Sequence, residues 1–366
     1  MAPEHMKAQV IESFNSLYVL KTVSTPQIAG RYDVLIRVHA AGYCHTDGMM
    51  TAGQCKPDPA SFPHINSHEI SGEIAALHPD HGSEYQLGDR VISTGRPYAP
   101  CGECFECRDQ SRPDSDEGYS VVCPHCKLNG MSKAGGFAEY VVVDLRQLAR
   151  IPDNISAEDA APLSCAGITV YGALKRANLQ AGQRVAIIGC GGGLGHLGLQ
   201  FADAIGLRTI GVEAADGPLK LAESLKTKAK VVHARKANAE DLVQEMGKED
   251  GSKDRGEMGV DAAIILVESQ RGFDFGFNLI KDHGTCVVVS YGEAGFRVSS
   301  RDLVYRDVRV VGTILGSNKL LKEMMKVAAE HKVRPVRTVY GFEKLNELVA
   351  DYHKGNGGKF VLKVLQ

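Results

Sequence analysis

The stretch Arg184-Val185-Ala186-Ile187-Ile188-Gly189-Cys190-Gly191-Gly192-Gly193-Leu194-Gly195 decides the fold of this 366-residue chain. Its apolar opening reads as a buried strand. The glycines after it let the backbone turn sharply and approach a pyrophosphate. The apolar run Leu197 to Ile205 reads as a helix whose N-terminus would face that negative charge. The next strand, Arg208-Thr209-Ile210-Gly211-Val212, ends at Glu213, where an acid would hydrogen-bond a ribose 2′-hydroxyl. The strict G-x-G-x-x-G spacing is missed by one residue, because Gly189, Gly191 and Gly195 leave an extra position in the loop. The cofactor-binding set is therefore Gly189, Gly191, Gly192, Gly193, Leu194, Gly195 and Glu213, with Lys220 as the nearest cation. A carboxylate at 213 would repel a 2′-phosphate, so the expected cofactor is NAD(H).

Outward from this turn, strands at Ala262 to Val267 and Thr285 to Ser290 continue the alternation of strand and helix. Such alternation makes an α/β fold with a doubly wound parallel sheet, a Rossmann arrangement. Up to about residue 150 the pattern differs. Apolar runs such as Val34-Leu35-Ile36-Arg37-Val38 and Glu139-Tyr140-Val141-Val142-Val143 are short and alternating, with Gly and Pro between them, and read as antiparallel strands. The length also favours two domains. The charged run Gly247 to Gly259 reads as a solvated loop.

Three separated segments carry metal chemistry: Cys44-His45-Thr46-Asp47, Ser67-His68-Glu69 and Leu163-Ser164-Cys165-Ala166-Gly167. Taken singly, a Cys is usually a small hydrophobe and a His a satisfied polar group. Together, Cys44, His68 and Cys165 leave a tetrahedral zinc one ligand short, and a catalytic zinc keeps that position for water or substrate. Thr46 adds a hydroxyl and Asp47 a carboxylate to orient the ligands. A second group, Cys101, Cys104 and Cys107 in C-x2-C-x2-C spacing followed by Cys123 and Cys126, lies in a segment too polar for core. Disulfides would need an oxidising compartment, and the N-terminus Met1-Ala2-Pro3-Glu4-His5-Met6 lacks the apolar run of a signal peptide. The cysteines thus read as a structural zinc site, and the chain as a cytoplasmic protein with two zincs. With 42 basic against 44 acidic residues and no long apolar span, neither nucleic acid nor a membrane is an expected partner.

These motifs, with Ala161-Pro162-Leu163-Ser164-Cys165-Ala166-Gly167-Ile168-Thr169-Val170-Tyr171, resemble the zinc-dependent alcohol dehydrogenases of the medium-chain dehydrogenase/reductase superfamily, most of all the tetrameric microbial branch. The resemblance runs from Val34 to Leu365. It implies a GroES-like, mostly-β catalytic domain built from residues 1–166 and 315–366, with a structural-zinc lobe at about 98–127, around a Rossmann NAD-binding domain at 167–314. It implies a catalytic zinc on Cys44, His68 and Cys165, with Glu69 close enough to exchange into the shell and Asp47 orienting His68. Thr46 would hydrogen-bond the substrate oxygen and relay its proton, His45 would lie near the cofactor pyrophosphate, and Glu213 would hold the adenosine ribose. Cys101, Cys104, Cys107 and Cys123 would hold the structural zinc. The implied activity interconverts an alcohol and its aldehyde or ketone with NAD(H), in a homo-oligomer, tetramer or dimer. An alcohol oxygen on such a zinc has its pKa lowered towards neutrality, and its carbon then releases hydride to the nicotinamide. Reduction of conjugated C=C or C=N bonds, or NAD binding without catalysis, are the alternatives.

Three departures from the family pattern stand out. Met49 occupies a position where many members carry a histidine that passes the proton to solvent, and methionine is neither acid nor base. An insertion spans Arg108 to Val122, so that family spacing would put the fourth structural ligand at Ser115; Cys123-Pro124-His125 matches the family and makes Cys123 the ligand ahead of Cys126. The insertion is expected to form a surface loop. Arg96, in Ser93-Thr94-Gly95-Arg96-Pro97-Tyr98, stands where relatives often place a large aromatic. Solvation is the expected state of an arginine in such a loop; the alternative is paired hydrogen bonding to a substrate carboxylate or phosphate.

Overall fold

The computed structural model describes residues 2–109 and 119–365. Residues 110–118 of the insertion, Ser115 among them, lie outside the described residues.

The stretch Arg184–Ile188 is a strand buried at every position, as a parallel strand covered on both faces must be. It lies third in a six-stranded parallel sheet ordered Lys230–His233, Arg208–Glu213, Arg184–Ile188, Val260–Ile265, Ile280–Val288, Arg309–Gly312. The chain runs outward to one edge, then crosses back and runs to the other. The crossovers beside Arg184–Ile188 therefore leave in opposite directions and open a crevice at the carboxyl ends of the central strands. Helix Gly195–Ala204 begins two residues before the expected Leu197, so Gly195 is its first residue. The expected loop Gly247 to Gly259 starts only at Gly251: helix Ala239–Asp250 runs through its first four residues, capped by Asn238 and ended by Gly251 at φ 69°. Burial of Leu242, Val243 and Met246 along one face holds that last turn in spite of its charges.

The second sheet centres on Asp33–Tyr43. It pairs antiparallel with Glu69–Leu77 and with Tyr140–Asp144, and its far end pairs with Lys359–Lys363, in register from Phe360 on Tyr43 to Lys363 on Ala40. The C-terminal strand thus completes the N-terminal sheet. A core of Val34, Ile36, Ile70, Ile74, Phe137 and Leu362 packs under this sheet, and a separate one around Ala186, Ile188, Ile265 and Phe273 packs on one face of the parallel sheet. Among the described residues no helix is long and apolar enough to cross a membrane.

Candidate active site and metal centres

Cys44 ends the strand Asp33–Tyr43 and caps helix His45–Thr51. Asp47 accepts from the Cys44 backbone amide at 2.8 Å, so the tetrapeptide is a capping box that fixes both its thiol and its carboxylate. The same carboxylate accepts from the Ser67 amide at 2.9 Å. Ser67 sits at φ 76°, a left-handed conformation that costs a non-glycine residue energy and persists only where the surroundings hold it. Asp47 supplies that hold, and the strained turn aims His68 inward. Cys165 arrives from the other side on a π-helical turn, Leu163–Gly167, that follows Pro162, and the Ile168 amide reaches back to Leu163. Such turns are frequent at functional sites.

The ligand atoms of Cys44, His68 and Cys165 all lie within 4.8 Å of one another. His68 is fully buried with neither ring nitrogen hydrogen-bonded, and its Nδ1 stands 3.9 Å from Asp47. A buried imidazole with both nitrogens orphaned beside two thiols lacks a cation. Cys44 is held well below the usual thiol range, first by a hydrogen bond from Cys165 and also by His68. The donor set fits zinc. Burial pushes Asp47 up to about 6, opposed by His68.

Behind this group Glu69 is buried, with one oxygen bonded to Lys359 Nζ at 2.6 Å and Oε2 without a partner. Lys359 also donates to the Tyr43 carbonyl at 3.1 Å. Burial disfavours its ammonium, but the Glu69 carboxylate outweighs this and holds the pKa above its ordinary value. A Cβ on Gly193 would lie 3.3 Å from Lys359 Cδ, so this cation lies between the metal-ligand group and the glycine turn. Its role could not be read locally, because only the pairing of the C-terminal strand on Ala40 to Tyr43 brings it there.

In the glycine turn a Cβ on Gly191 would fall 1.9 Å from the Pro218 carbonyl and one on Gly195 would fall 2.1 Å from the Gly189 carbonyl. Those two glycines are required by the protein itself. Gly192 meets nothing closer than 3.5 Å and faces open space. Helix Gly195–Ala204 has no side-chain cap; its His196 amide donates to the Gly192 carbonyl, and the neighbouring amides of the first turn are those that could meet an anion. Glu213 accepts from the Gly191 amide at 3.1 Å and from Ala214 at 2.8 Å, tying the strand end to the turn. It lines a groove with Gly189, Ala214, Gly272, Arg235 and Arg271. Lys220 stands exposed on helix Asp216–Ser224 and is not among the groove's lining residues; the cations that line the groove with Glu213 are Arg235, just past the strand Lys230–His233, and Arg271, in the first turn of helix Gln270–Leu279.

A cleft of about 580 Å³ joins the metal-ligand group to this crevice. Cys44, His45, Thr46, Met49, Arg96 and Cys165 line one side, and Leu194, Leu266 to Ser269 and Val289 to Tyr291 the other. His45 is exposed, with Nδ1 3.4 Å from the Tyr352 hydroxyl. Arg96 departs from the expected solvated state: its Nη2 donates to Thr46 Oγ1 at 2.9 Å, and its Nε is buried without an acceptor. The loop that carries it is pinned by Thr94 and Asn129 backbone bonds and by the pairing of Pro97–Tyr98 with Lys127–Leu128, so the side chain has nowhere to go but the cleft.

In the second cluster the sulfurs of Cys101, Cys104, Cys107 and Cys123 also lie within 4.8 Å of one another. Cys126 stands outside that group. Its amide donates to the Cys123 carbonyl, and burial pushes its thiol up to about 11.

Residues 30–153 match the alcohol dehydrogenase GroES-like domain and residues 193–330 the zinc-binding dehydrogenase domain. An alcohol dehydrogenase of Geobacillus stearothermophilus is 34% identical over 362 residues, covering 98% of this chain and 99% of that protein. The chain belongs to the zinc-dependent alcohol dehydrogenase family. An NAD-dependent alcohol dehydrogenase of Sulfolobus acidocaldarius is 31% identical over 373 residues, 98% of this chain and all 100% of the relative. The crystal structure of the alcohol dehydrogenase from Aeropyrum pernix superposes with a TM-score of 0.80 at 30% identity, covering 98% of this chain and 100% of that one.

Proposed function

We propose that this alcohol dehydrogenase interconverts an alcohol and its aldehyde or ketone with NAD(H), at a zinc held by Cys44, His68 and Cys165. The observation that carries the reading is the convergence of those three ligand atoms, with the orphaned His68 nitrogens, on a cleft whose opposite wall is formed by the carboxyl ends of the parallel strands. When bound, the zinc supplies Lewis acidity to the substrate oxygen, and the nicotinamide exchanges the hydride.

The chain's own residues position and relay. Thr46 Oγ1 accepts from Arg96, which leaves a second lone pair to accept the substrate's O–H proton and its own hydroxyl hydrogen to pass outward towards the cofactor ribose. Arginine cannot take the proton, and Met49 has no site for it, so the proton leaves through the cofactor ribose and water. Asp47 holds the His68 loop and Lys359 neutralises Glu69 next to the residues that would hold the metal. The uncapped start of helix Gly195–Ala204 and the open face of Gly192 take the pyrophosphate near His45, and Glu213 takes the ribose.

A second zinc on Cys101, Cys104, Cys107 and Cys123 would tie the lobe closed, with no position left for substrate. The catalytic part then comprises residues 1–166 and 315–366 and the cofactor part 167–314. Ten free thiols suit a reducing compartment such as the cytoplasm. The edge strand Arg309–Gly312, with Val304, Tyr305 and Val310 exposed around it, offers a surface for a homo-oligomer, dimer or tetramer. The test is a panel of alcohols and aldehydes with NAD(H) and NADP(H) followed at 340 nm. Turnover that is abolished by chelation and restored by zinc is expected; turnover only on enals or imines would move the chain to the C=C or C=N reductases.

A further inference from the structure

We propose that Arg96 makes the substrate an acid: the cleft is built to bind an alcohol that carries a carboxylate one or two carbons from its carbinol, a 2- or 3-hydroxy acid, or in reverse the matching oxo acid. This rests on the reading of the chain as an alcohol dehydrogenase.

Three observations carry it. Arg96 lines the same cleft as Cys44, Cys165 and Thr46, and its Nη2 is 2.9 Å from Thr46 Oγ1. Its Nε is buried with no acceptor, and among the described residues no carboxylate forms an ion pair with it. Met49, Leu266, Val289, Ile314 and Leu315 give the cleft an apolar lining, and the Tyr291 hydroxyl is a neutral partner that Arg96 has there beside Thr46. Glu268, the acidic group that also lines the cleft, is exposed on the opposite, Rossmann side.

The guanidinium is bonded to Thr46 and Tyr291 and faces the Cys44 and Cys165 thiols, but its Nε still lacks an acceptor and no carboxylate of the described residues pairs with it, which leaves room for an anionic acceptor that arrives with the ligand. Its distance from the reaction fixes where that acceptor sits. Thr46 would lie one hydrogen bond from the reacting oxygen, and Arg96 lies one more from Thr46, so two bonds of about 2.9 Å meeting at the Thr46 oxygen put the guanidinium within about 6 Å of that oxygen. A carboxylate on the adjacent carbon or the next one reaches it, and one at the end of a long chain does not. The planar fork of arginine suits the planar carboxylate. The reaction is unchanged in kind. The carbinol C–H leaves as hydride to C4 of NAD, the O–H proton leaves by way of Thr46, the C–O bond becomes C=O, and the carboxylate is carried through unaltered.

The experiment compares the wild-type enzyme with Arg96→Gln and Arg96→Lys on 2- and 3-hydroxybutanoate, their methyl esters and 2-butanol, by kcat/KM. It also titrates butanoate, butanamide and butylphosphonate into the NADH complex by calorimetry. The reading expects the wild type to favour acid over ester, and Arg96→Gln to lower that ratio about 10- to 100-fold, the factor carried by one hydrogen bond to a charged group. The ratio cancels any common loss through Thr46. Arg96→Lys should recover part of the ratio, and butanoate should bind more tightly than butanamide only while a cation stands at 96. An acid preference that survives Arg96→Gln would place the carboxylate on the zinc and overturn the inference. So would equal rates on acid and ester, or tighter binding of the phosphonate than of butanoate. Turnover of neutral alcohols without any discrimination defeats this inference alone; no turnover of any alcohol or ester by zinc-loaded wild type defeats the dehydrogenase reading beneath it.

Discussion

At the residue scale, Met49 and Glu213 each make a separate prediction about the cleft and the cofactor groove. Met49 lines the cleft beside Thr46 and offers no group that could carry a proton. If proton release limits turnover, Met49→His will raise alcohol oxidation near neutral pH and shift the pH–rate profile to lower pH; an unchanged profile would show that ribose and water suffice. Glu213 is fixed by the Gly191 and Ala214 amides with Arg235 in the same groove. Removing the acid while keeping the cation should favour a 2′-phosphate. We expect Glu213→Ala to lower the NAD-over-NADP ratio of kcat/KM at least about tenfold, roughly 1.4 kcal/mol. The clustering of Cys44, His68 and Cys165, that of the four cysteines, and the place of Glu213 at a strand end were legible in the sequence because each sits in a short motif whose chemistry is local. Arg96, Lys359 and Arg235 were not. Their roles come from loops and strands far apart in sequence, and an isolated basic residue is most often solvated.

At the scale of elements, the join between the glycine turn and the C-terminal return is made by His196. Its Nδ1 lies 2.9 Å from the Gly192 carbonyl, and its Nε2 accepts from the Val336 amide at 3.1 Å. This bonding requires the neutral ring. Burial, with Lys359 as a lesser cause, depresses its pKa from 6.5 to about 4. A depressed histidine pKa means that the unfolded chain binds the extra proton first. The stabilisation is therefore full above 6.5 and is lost as pH falls towards 4, by on the order of 3 kcal/mol. Denaturant unfolding at several pH values should show this slope, and His196→Gln should flatten it by about one proton; a parallel slope in the variant would contradict the assignment. The alternation of strand and helix was readable from period alone, but element ends were not. Helix Ala239–Asp250 extends into a run that looks like loop because its charges lie on one face while Met246 and Gly247 are buried on the other. The π-helical turn at Cys165 has no pattern of its own in the sequence.

At the scale of the whole molecule, the chain's two ends close one sheet, and the site lies where that sheet meets the crevice of the other. The same arrangement leaves the strand Arg309–Gly312 at an edge with Val310 40% exposed and Tyr305 80% exposed. For the homo-oligomer proposed above, a charge placed there, Val310→Lys, should shift the sedimentation profile towards smaller species, while an unchanged profile would exclude this edge as its contact. The central claim is the catalytic zinc on Cys44, His68 and Cys165, and zinc per folded chain in wild type and His68→Ala tests it most directly. Two clusters of ligands predict two zincs in the wild type, falling to one in the variant while the four-cysteine site keeps its own. Two zincs retained after loss of His68 would contradict the account.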